Sequence, residues 1–371
     1  MSDPDEKYMK MALDLAARGI GNIEPNPAVG CVIVKKGRVI GKGCHEEFGQ
    51  AHAEINALAD CQKNHNNPAG ATMYVTLEPC CHVGKTGPCT DAIINAKITR
   101  LVAAIADPSD HVGSKGIEKL KKAGLDVKVN VCLQEAKLLN AWFFRYAATK
   151  RPWVILKWAQ SIDGKMAAKD RGKHGRWISN EKSRRDVHKL RRSVQGILIG
   201  IETVLADDPM LTARPPRQNA RLIRIVLDSG LRIPLECKLM DTAAAPTIVA
   251  TTQEAVITHV DKSEAIIEKG AEILALADHN NMCDIDHLLD DLGKKNIQRL
   301  LVEGGPTVLT SFIERGLADA VRVYISPNKL GSRGTAEITE AMSGFTDPAA
   351  LHHACVRDFD GDVCISGFTK P

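Results

Sequence analysis

The chain has 371 residues, 44% of them hydrophobic and 25% charged, with a formal net charge of +4. That length exceeds one ordinary core and sets an expectation of two or three domains, in a composition typical of globular chains and not of disordered or fibrous ones. The mild charge and the 4% aromatic content argue against a dedicated nucleic-acid binder and suit a small anionic ligand such as a sugar phosphate.

The longest apolar runs, residues 101–106 and 153–156, are far short of a bilayer span, so no membrane association is expected. The first residues, Met1-Ser2-Asp3-Pro4-Asp5-Glu6, are acidic and lack the apolar stretch of a secretory signal. Eleven cysteines in such a chain suggest a reducing, cytoplasmic setting with core or metal-binding thiols, not a disulfide framework.

In chain order, residues 6–18 read as a helix, with Met9, Ala12, Leu15 and Ala16 on one face and a stop at Gly19. Residues 29–34 and 38–41 read as a strand pair turned at Lys36-Gly37. A helix opens near His52, and residues 72–76 form a strand leading into a Pro-Cys-Cys loop. Residues 89–96 read as a helix after Pro88, and residues 101–105 and 127–131 as strands separated by a helix through Lys119. The implied unit is a sheet with helices on both faces, placing His52 and the cysteines at helix N-termini.

An aromatic-rich helix (Trp142, Phe143, Phe144, Tyr146) ends at Lys150-Arg151-Pro152, which marks a domain boundary: residues 1–148 before it and 149–371 after it. Beyond it, residues 153–159, 196–200, 224–227, 247–250 and 300–302 read as buried strands of a second α/β unit. Residues 355–359 and 363–368 read as a hairpin turned at Asp360-Gly361, and residues 243–245 and 280–281 as surface loops. No repeat or low-complexity tract is present.

The first half carries the sharpest chemistry. His52-Ala53-Glu54, Pro79-Cys80-Cys81-His82 and Cys89 offer one imidazole and two thiolates to a tetrahedral zinc, with a carboxylate two residues from the histidine to move protons. This is the arrangement of zinc deaminases that act on nucleobases, except that eight residues instead of two separate the cysteines. A purely structural zinc site is the bland alternative. It would need Cys81 or His82 as a fourth ligand and has no use for Glu54. Taken singly, His52 reads as a helix-start histidine and each cysteine as a small core residue.

The second half has no G-x-G-x-x-G after its first strand, so a Rossmann dinucleotide site is not supported. Gly304-Gly305-Pro306-Thr307 follows an apolar strand and opens a helix, a turn whose N–H groups can approach a phosphate. Alone it reads as well as a plain strand-to-helix turn. Residues 157–165 and 200–209 each follow a strand and carry small and polar groups suited to a pocket at strand ends.

Several of these segments occur together and in order. Pro25-Asn26-Pro27-x-Val29-Gly30-Cys31-Val32, His52-Ala53-Glu54 and Glu78-Pro79-Cys80-Cys81-His82-x-Gly84-x-Thr86-x-Pro88-Cys89 occupy the first half. Ser161-x-Asp163-Gly164-Lys165, Gly200…Thr203-Val204…Asp207-x-Pro209-x-Leu211 and Glu303-x-Gly305-Pro306 occupy the second. Over nearly its full length the chain resembles the bifunctional deaminase/reductase family of riboflavin biosynthesis. One departure is Gly87, where the family usually has proline before Pro88.

The resemblance implies a cytidine-deaminase-like N-terminal domain and a dihydrofolate-reductase-like C-terminal domain. In the first, His52, Cys80 and Cys89 would bind one zinc per chain and Glu54 would shuttle the proton. Asn26 would hold the pyrimidine, and His45, His82 and Lys85 would contact its ribose phosphate. The implied reaction removes the C2 amine of 2,5-diamino-6-(5-phosphoribosylamino)pyrimidin-4(3H)-one. In the second domain, NADPH would reduce the ribosyl to the ribityl group. Ala159, Trp177, Thr203, Asp207, Ser229, Gly305, Pro306 and Thr307 would face the cofactor. Lys157, Gly175, Arg191, Leu211, Arg214 and Glu303 would face the substrate, with Lys157 or Glu303 as proton-transfer candidates. NADPH over NADH follows from the resemblance alone. The expected partners are the phosphoribosylated pyrimidine and at most further copies of the chain.

An RNA-editing adenosine deaminase shares the zinc logic but needs a basic, aromatic-bearing surface that this sequence lacks. A non-enzymatic scaffold built on a structural zinc is the other alternative; ammonia release separates it from either enzyme.

Overall fold

The Lys36-Gly37 turn shows how local chemistry starts the first sheet. Both residues sit at positive φ (49° and 75°), the twist of a two-residue hairpin that glycine supplies without steric cost. In the computed structural model, which describes residues 3–81, 87–107, 115–169, 177–216, 222–279 and 281–371, this turn joins β1 (Gly30–Lys35) to β2 (Arg38–Cys44). With β3 (Thr72–Val75), β4 (Arg100–Ala103) and β5 (Asp126–Lys128) they form a sheet in the order β2-β1-β3-β4-β5. β3, β4 and β5 run parallel, and β1 is antiparallel to both its neighbours.

Alternation along β1 sends its side chains to two cores. Val32 and Val34 meet Met9, Ala12 and Leu13 of α1 (Pro4–Ala16). Cys31 and Ile33 meet Ala57 and Cys61 of α2 (Ala53–Lys63) and Ile93 of α3 (Cys89–Asn95). α4 (Lys115–Lys122), α5 (Leu133–Leu139) and α6 (Ala141–Thr149) complete the described helices of this unit. α1 begins two residues earlier than the apolar period predicts because Asp3 caps it, accepting from Asp5 N at 2.9 Å, and Pro4 suits its first turn. Asp5 points inward, only 6% exposed, and accepts from Tyr74 Oη (2.9 Å), both Arg100 amino groups (2.8 Å each) and Lys128 Nζ (2.8 Å). It ties α1 to β3, β4 and β5.

α2 lies unusually close to β2. A Cβ at Gly41 would stand 2.4 Å from Cys61 Sγ, and one at Gly43 would stand 2.4 Å from Ala53 O. Two glycines on one strand face therefore let the helix that carries Glu54 settle onto the sheet.

By contact, Met1–Thr149 and Lys150–Pro371 are separate units. The second is built on β6 (Trp153–Ser161), β7 (Gly196–Gly200), β8 (Ile223–Leu227), β9 (Thr247–Thr252) and β10 (Glu272–Leu276). A small antiparallel pair follows, β11 (Asp278–His279) and β12 (Met282–Cys283). Then come β13 (Arg299–Val302), β14 (Ala320–Ser326), β15 (His352–Phe359) and β16 (Asp362–Phe368). The main sheet has the order β10-β9-β8-β7-β13-β6-β14-β16-β15, parallel from β10 to β14 and antiparallel thereafter. Helices α7 (Glu181–Arg192), α8 (Ile201–Asp207), α9 (Gln253–Thr258), α10 (Val260–Glu268), α11 (Ile285–Lys294) and α12 (Pro306–Glu314) connect the strands. Leu156, Leu198 and Leu300 pack one face, and Ile155, Ile197 and Leu301 the other. Among the described residues no helix is long and apolar enough to cross a membrane.

Candidate active sites

Three segments of the first unit converge on one point. His52 is the N-cap of α2 in extended backbone, and its side chain makes no capping bond, which leaves the ring free. Cys80 lies in the loop after β3, and Cys89 is the first residue of α3. The sequence expectation that both cysteines begin helices therefore holds for Cys89 and fails for Cys80. His52 Nδ1 is 3.5 Å from Cys80 Sγ and 3.3 Å from Cys89 Sγ, and all three ligand atoms lie within 4.8 Å of one another. A tetrahedral zinc with Zn–N and Zn–S bonds of ordinary length holds such atoms about 3.6–3.8 Å apart, so the donor set fits the ion. Cys81 does not join the group among the described residues. His82 and Lys85 lie outside the described residues.

The three donors also fit by charge. Cys80 Sγ accepts from Cys89 N at 3.4 Å. The side-chain hydrogen bond from Cys89, helped by His52, holds the Cys80 thiol down at about 4, while the same contact and burial push Cys89 up. Contact with Cys80 raises His52. A metal ion takes the place of the protons on such donors. Glu54, in the first turn of α2, is 3% exposed and its Oε2 has no protein partner. Burial chiefly, with Cys80 adding to it, pushes its carboxyl up to about 7, the range of a group that both takes and returns a proton.

Asn26 and His45 are brought together beside this centre. Asn26 Nδ2 is 3.1 Å from His45 Nε2, and His45 Nδ1 is 3.1 Å from Ala51 O. The His45 ring meets the His52 ring edge-on at 5.5 Å. His45 is 3% exposed, and burial lowers its pKa.

Two supports were given no role in the sequence reading. Glu78 accepts from the backbone N–H groups of Asp107 (3.1 Å), Gly116 (2.9 Å) and Ile117 (3.0 Å), anchoring the segment that leads into Pro79-Cys80. Asn140 is fully buried, accepts from Ala28 N (2.8 Å) and donates to Ala28 O (2.9 Å), clamping the Asn26 loop. Glu78 immediately before Pro-Cys was a visible signal. Asn140 offered none, because its partner is more than a hundred residues away.

In the second unit several of the expected residues follow the ends of parallel strands, the usual ligand edge of such sheets. Ala159 lies near the end of β6, Thr203 and Asp207 on α8 after β7, Ser229 after β8, and Glu303 after β13. Gly305 caps α12, with Pro306 and Thr307 in its first turn. A Cβ at Gly305 would meet nothing within 4 Å, so this turn stays open to a ligand. Ser229 Oγ accepts from Cys283 N at 3.1 Å. Trp177 is 60% exposed with the Arg184 guanidinium 5.5 Å over its ring. Gly175 lies outside the described residues.

Arg191, at the end of α7, forks onto Glu303 with bonds of 2.8 and 2.9 Å and donates to Thr212 O at 3.1 Å. Lys157 Nζ lies 3.6 Å from Glu303 and 5.7 Å over the Tyr324 ring. Burial alone would raise Glu303, but Arg191 and Lys157 outweigh it and hold the carboxylate at about 2. Burial pushes Lys157 below the usual lysine range. Leu211 is buried at positive φ (48°), and Arg214 is exposed two residues beyond Thr212.

Comparison with known proteins covers both halves. A family model of the RibD C-terminal domain matches residues 152–365, and one of the cytidine and deoxycytidylate deaminase zinc-binding region matches residues 2–105. Riboflavin biosynthesis protein RibD from Aquifex aeolicus is 44% identical over 327 residues, 88% of each chain. That from Escherichia coli is 38% identical over 97% of this chain and 98% of its own. The crystal structure of a diaminohydroxyphosphoribosylaminopyrimidine deaminase/5-amino-6-(5-phosphoribosylamino)uracil reductase from Thermotoga maritima is 35% identical and superposes with a TM-score of 0.82 over 98% of both chains. RibD from Acinetobacter baumannii is 32% identical, with a TM-score of 0.79 over 99% of both. The two folds expected from the sequence, deaminase-like then reductase-like, agree with these matches. Carried by likeness through both units, the chain belongs to the RibD family of riboflavin biosynthesis, enzymes that join a zinc-binding deaminase domain to an NADPH-using reductase domain.

Proposed function

We propose that the first unit deaminates 2,5-diamino-6-(5-phosphoribosylamino)pyrimidin-4(3H)-one at C2 and that the second reduces the resulting phosphoribosylaminouracil to its ribityl form. The observation that carries the first half is the His52/Cys80/Cys89 triangle with the buried, unpartnered Glu54 oxygen beside it. Those three side chains would hold zinc, which would supply Lewis acidity toward water. Glu54 takes the proton of the water that adds to C2 and returns it to the departing amine, so water and amine become carbonyl and ammonia. Asn26 holds the pyrimidine edge, and His82 and Lys85 take the ribose phosphate.

For the second half, NADPH when bound would supply a hydride, with C1′ of the ring-opened imine as the acceptor. This chain's residues orient the two ligands and exclude water. The Gly305–Thr307 turn, Ala159, Trp177, Thr203, Asp207 and Ser229 form the cofactor side. Gly175, Arg191, Leu211 and Arg214 form the substrate side. Glu303 lies in ion-pair contact with both Arg191 and Lys157, which supports Lys157 over Glu303 as the group that gives the imine nitrogen its proton. The working partner is thus a phosphoribosylated pyrimidine in the cytoplasm. Purified protein given the diaminopyrimidine nucleotide and NADPH should release ammonia and consume NADPH in sequence. Ammonia release from a tRNA stem-loop instead would favour the RNA-editing reading.

A further inference from the structure

The hydrogen bonds around Asn26 fix more than its position. Ala51 O can only accept, so the His45 nitrogen facing it, Nδ1 at 3.1 Å, carries the proton. Asn26 Nδ2, which can only donate, stands 3.1 Å from the other ring nitrogen, so Nε2 is the acceptor of this pair and presents its lone pair. An amide turned over at this site would set its oxygen against that lone pair. Its backbone is equally fixed: Asn26 N donates to Ile23 O (2.9 Å), His45 N donates to Val29 O (2.9 Å), and Asn140 grips both polar groups of Ala28. Among the described residues no protein group takes Asn26 Oδ1.

We propose that His45 is a positioning residue that fixes the Asn26 amide with its oxygen toward the ligand, so that the site selects a pyrimidine offering a ring N–H donor. The idea rests on the pyrimidine-reading role given above to Asn26, and it moves His45 from a phosphate contact to a support of that residue. With both ring nitrogens engaged and 3% exposure, His45 has no free polar edge for a phosphate. The chemical consequence is a polarity filter. A pyrimidinone carries N–H next to its ring carbonyl and can donate to Oδ1. A cytosine-type ring has a lone pair on the nitrogen beside its reacting carbon and would face the amide oxygen with a second acceptor. Mismatched polar groups discriminate far more strongly than a difference in size.

A double-mutant cycle on the full-length, zinc-loaded enzyme tests this. Ammonia release from the diaminopyrimidine nucleotide is measured for His45→Phe, Asn26→Ala and the pair, with zinc content and NADPH oxidation on the deaminated uracil as controls. His45→Phe should raise KM about tenfold, the scale of one lost oriented hydrogen bond, with kcat little changed and zinc retained. In the Asn26→Ala background the same change should cost nothing further. His45→Gln, which still carries a donor and an acceptor, should recover part of the loss.

Additive losses in the double variant overturn the proposal, because His45 would then touch the substrate itself. Zinc loss in both His45→Phe and His45→Gln also overturns it, making the residue a support of the metal. Normal deamination by Asn26→Ala alone sinks the reading of Asn26, which is a different failure from additivity.

Discussion

The two sites are built in opposite ways. The proposed deaminase centre draws its metal donors and its carboxylate from residues 52–89, two helix starts and one loop. The proposed reductase site is drawn from residues 157 to 307, which are spread over several strands and the segments that follow them. The first concentrates function in a few donors whose mutual distances a metal dictates, so loss of one should be nearly total. The second spreads binding over many contacts, so single losses should be partial. Charge follows the same division: three metal-type donors around one point, against a buried carboxylate paired with two cations at the other.

The largest expected effect lies at the metal. Cys80→Ser should lose both zinc and ammonia release, whereas Cys81→Ser, outside the ligand triangle, should keep zinc and much of the activity. Equal zinc loss by metal analysis would instead indicate a four-ligand structural site. Next is Glu54→Gln, which should retain zinc while ammonia release falls by about 10²-fold or more. Near-normal turnover would remove Glu54 from the chemistry.

On the distributed side, Arg214→Ala should weaken reduction of the uracil substrate by roughly ten- to a hundredfold, the worth of one charge-assisted anchor of about 1.5–3 kcal/mol. Its ammonia release should be unchanged. A loss comparable to that of Cys80→Ser would contradict the contrast between the sites.

The smallest effect concerns stability. Arg100 chiefly, against burial and with Lys128 and Tyr74 helping, holds the Asp5 carboxyl well below the usual carboxylate range. A depressed folded pKa contributes stability that is complete above the unfolded value of about 3.9 and is lost as pH falls toward the folded value. Asp5→Asn should therefore lower the Tm of the first unit at pH 7 but close the gap progressively below about pH 4. A gap that does not depend on pH would place the effect in packing instead of charge.

The same contrast governs what was legible in the sequence. The His-x-Glu and Pro-Cys spacing reads directly because zinc chemistry demands those residue types, and most strands announced themselves by alternation or apolar runs. β14 was missed: Arg322 and Tyr324 interrupt its apolar pattern, and only in the sheet do Asp186 and the flanking strands explain them. Gly41 and Gly43 acquire a reason only from the close approach of α2, which no spacing in the sequence encodes. His45 was visible as a candidate, but its partners are set by tertiary contacts with Asn26 and Ala51 that no spacing encodes.

The central claim is that each unit carries its own chemistry, and supplying the intermediate tests it most directly. Glu54→Gln protein should fail to consume NADPH when given the diaminopyrimidine nucleotide, yet oxidise NADPH at the wild-type rate when given the deaminated phosphoribosylaminouracil. If the folded, zinc-loaded variant loses both reactions with both substrates, the sites are shared or coupled and the two-site account is wrong.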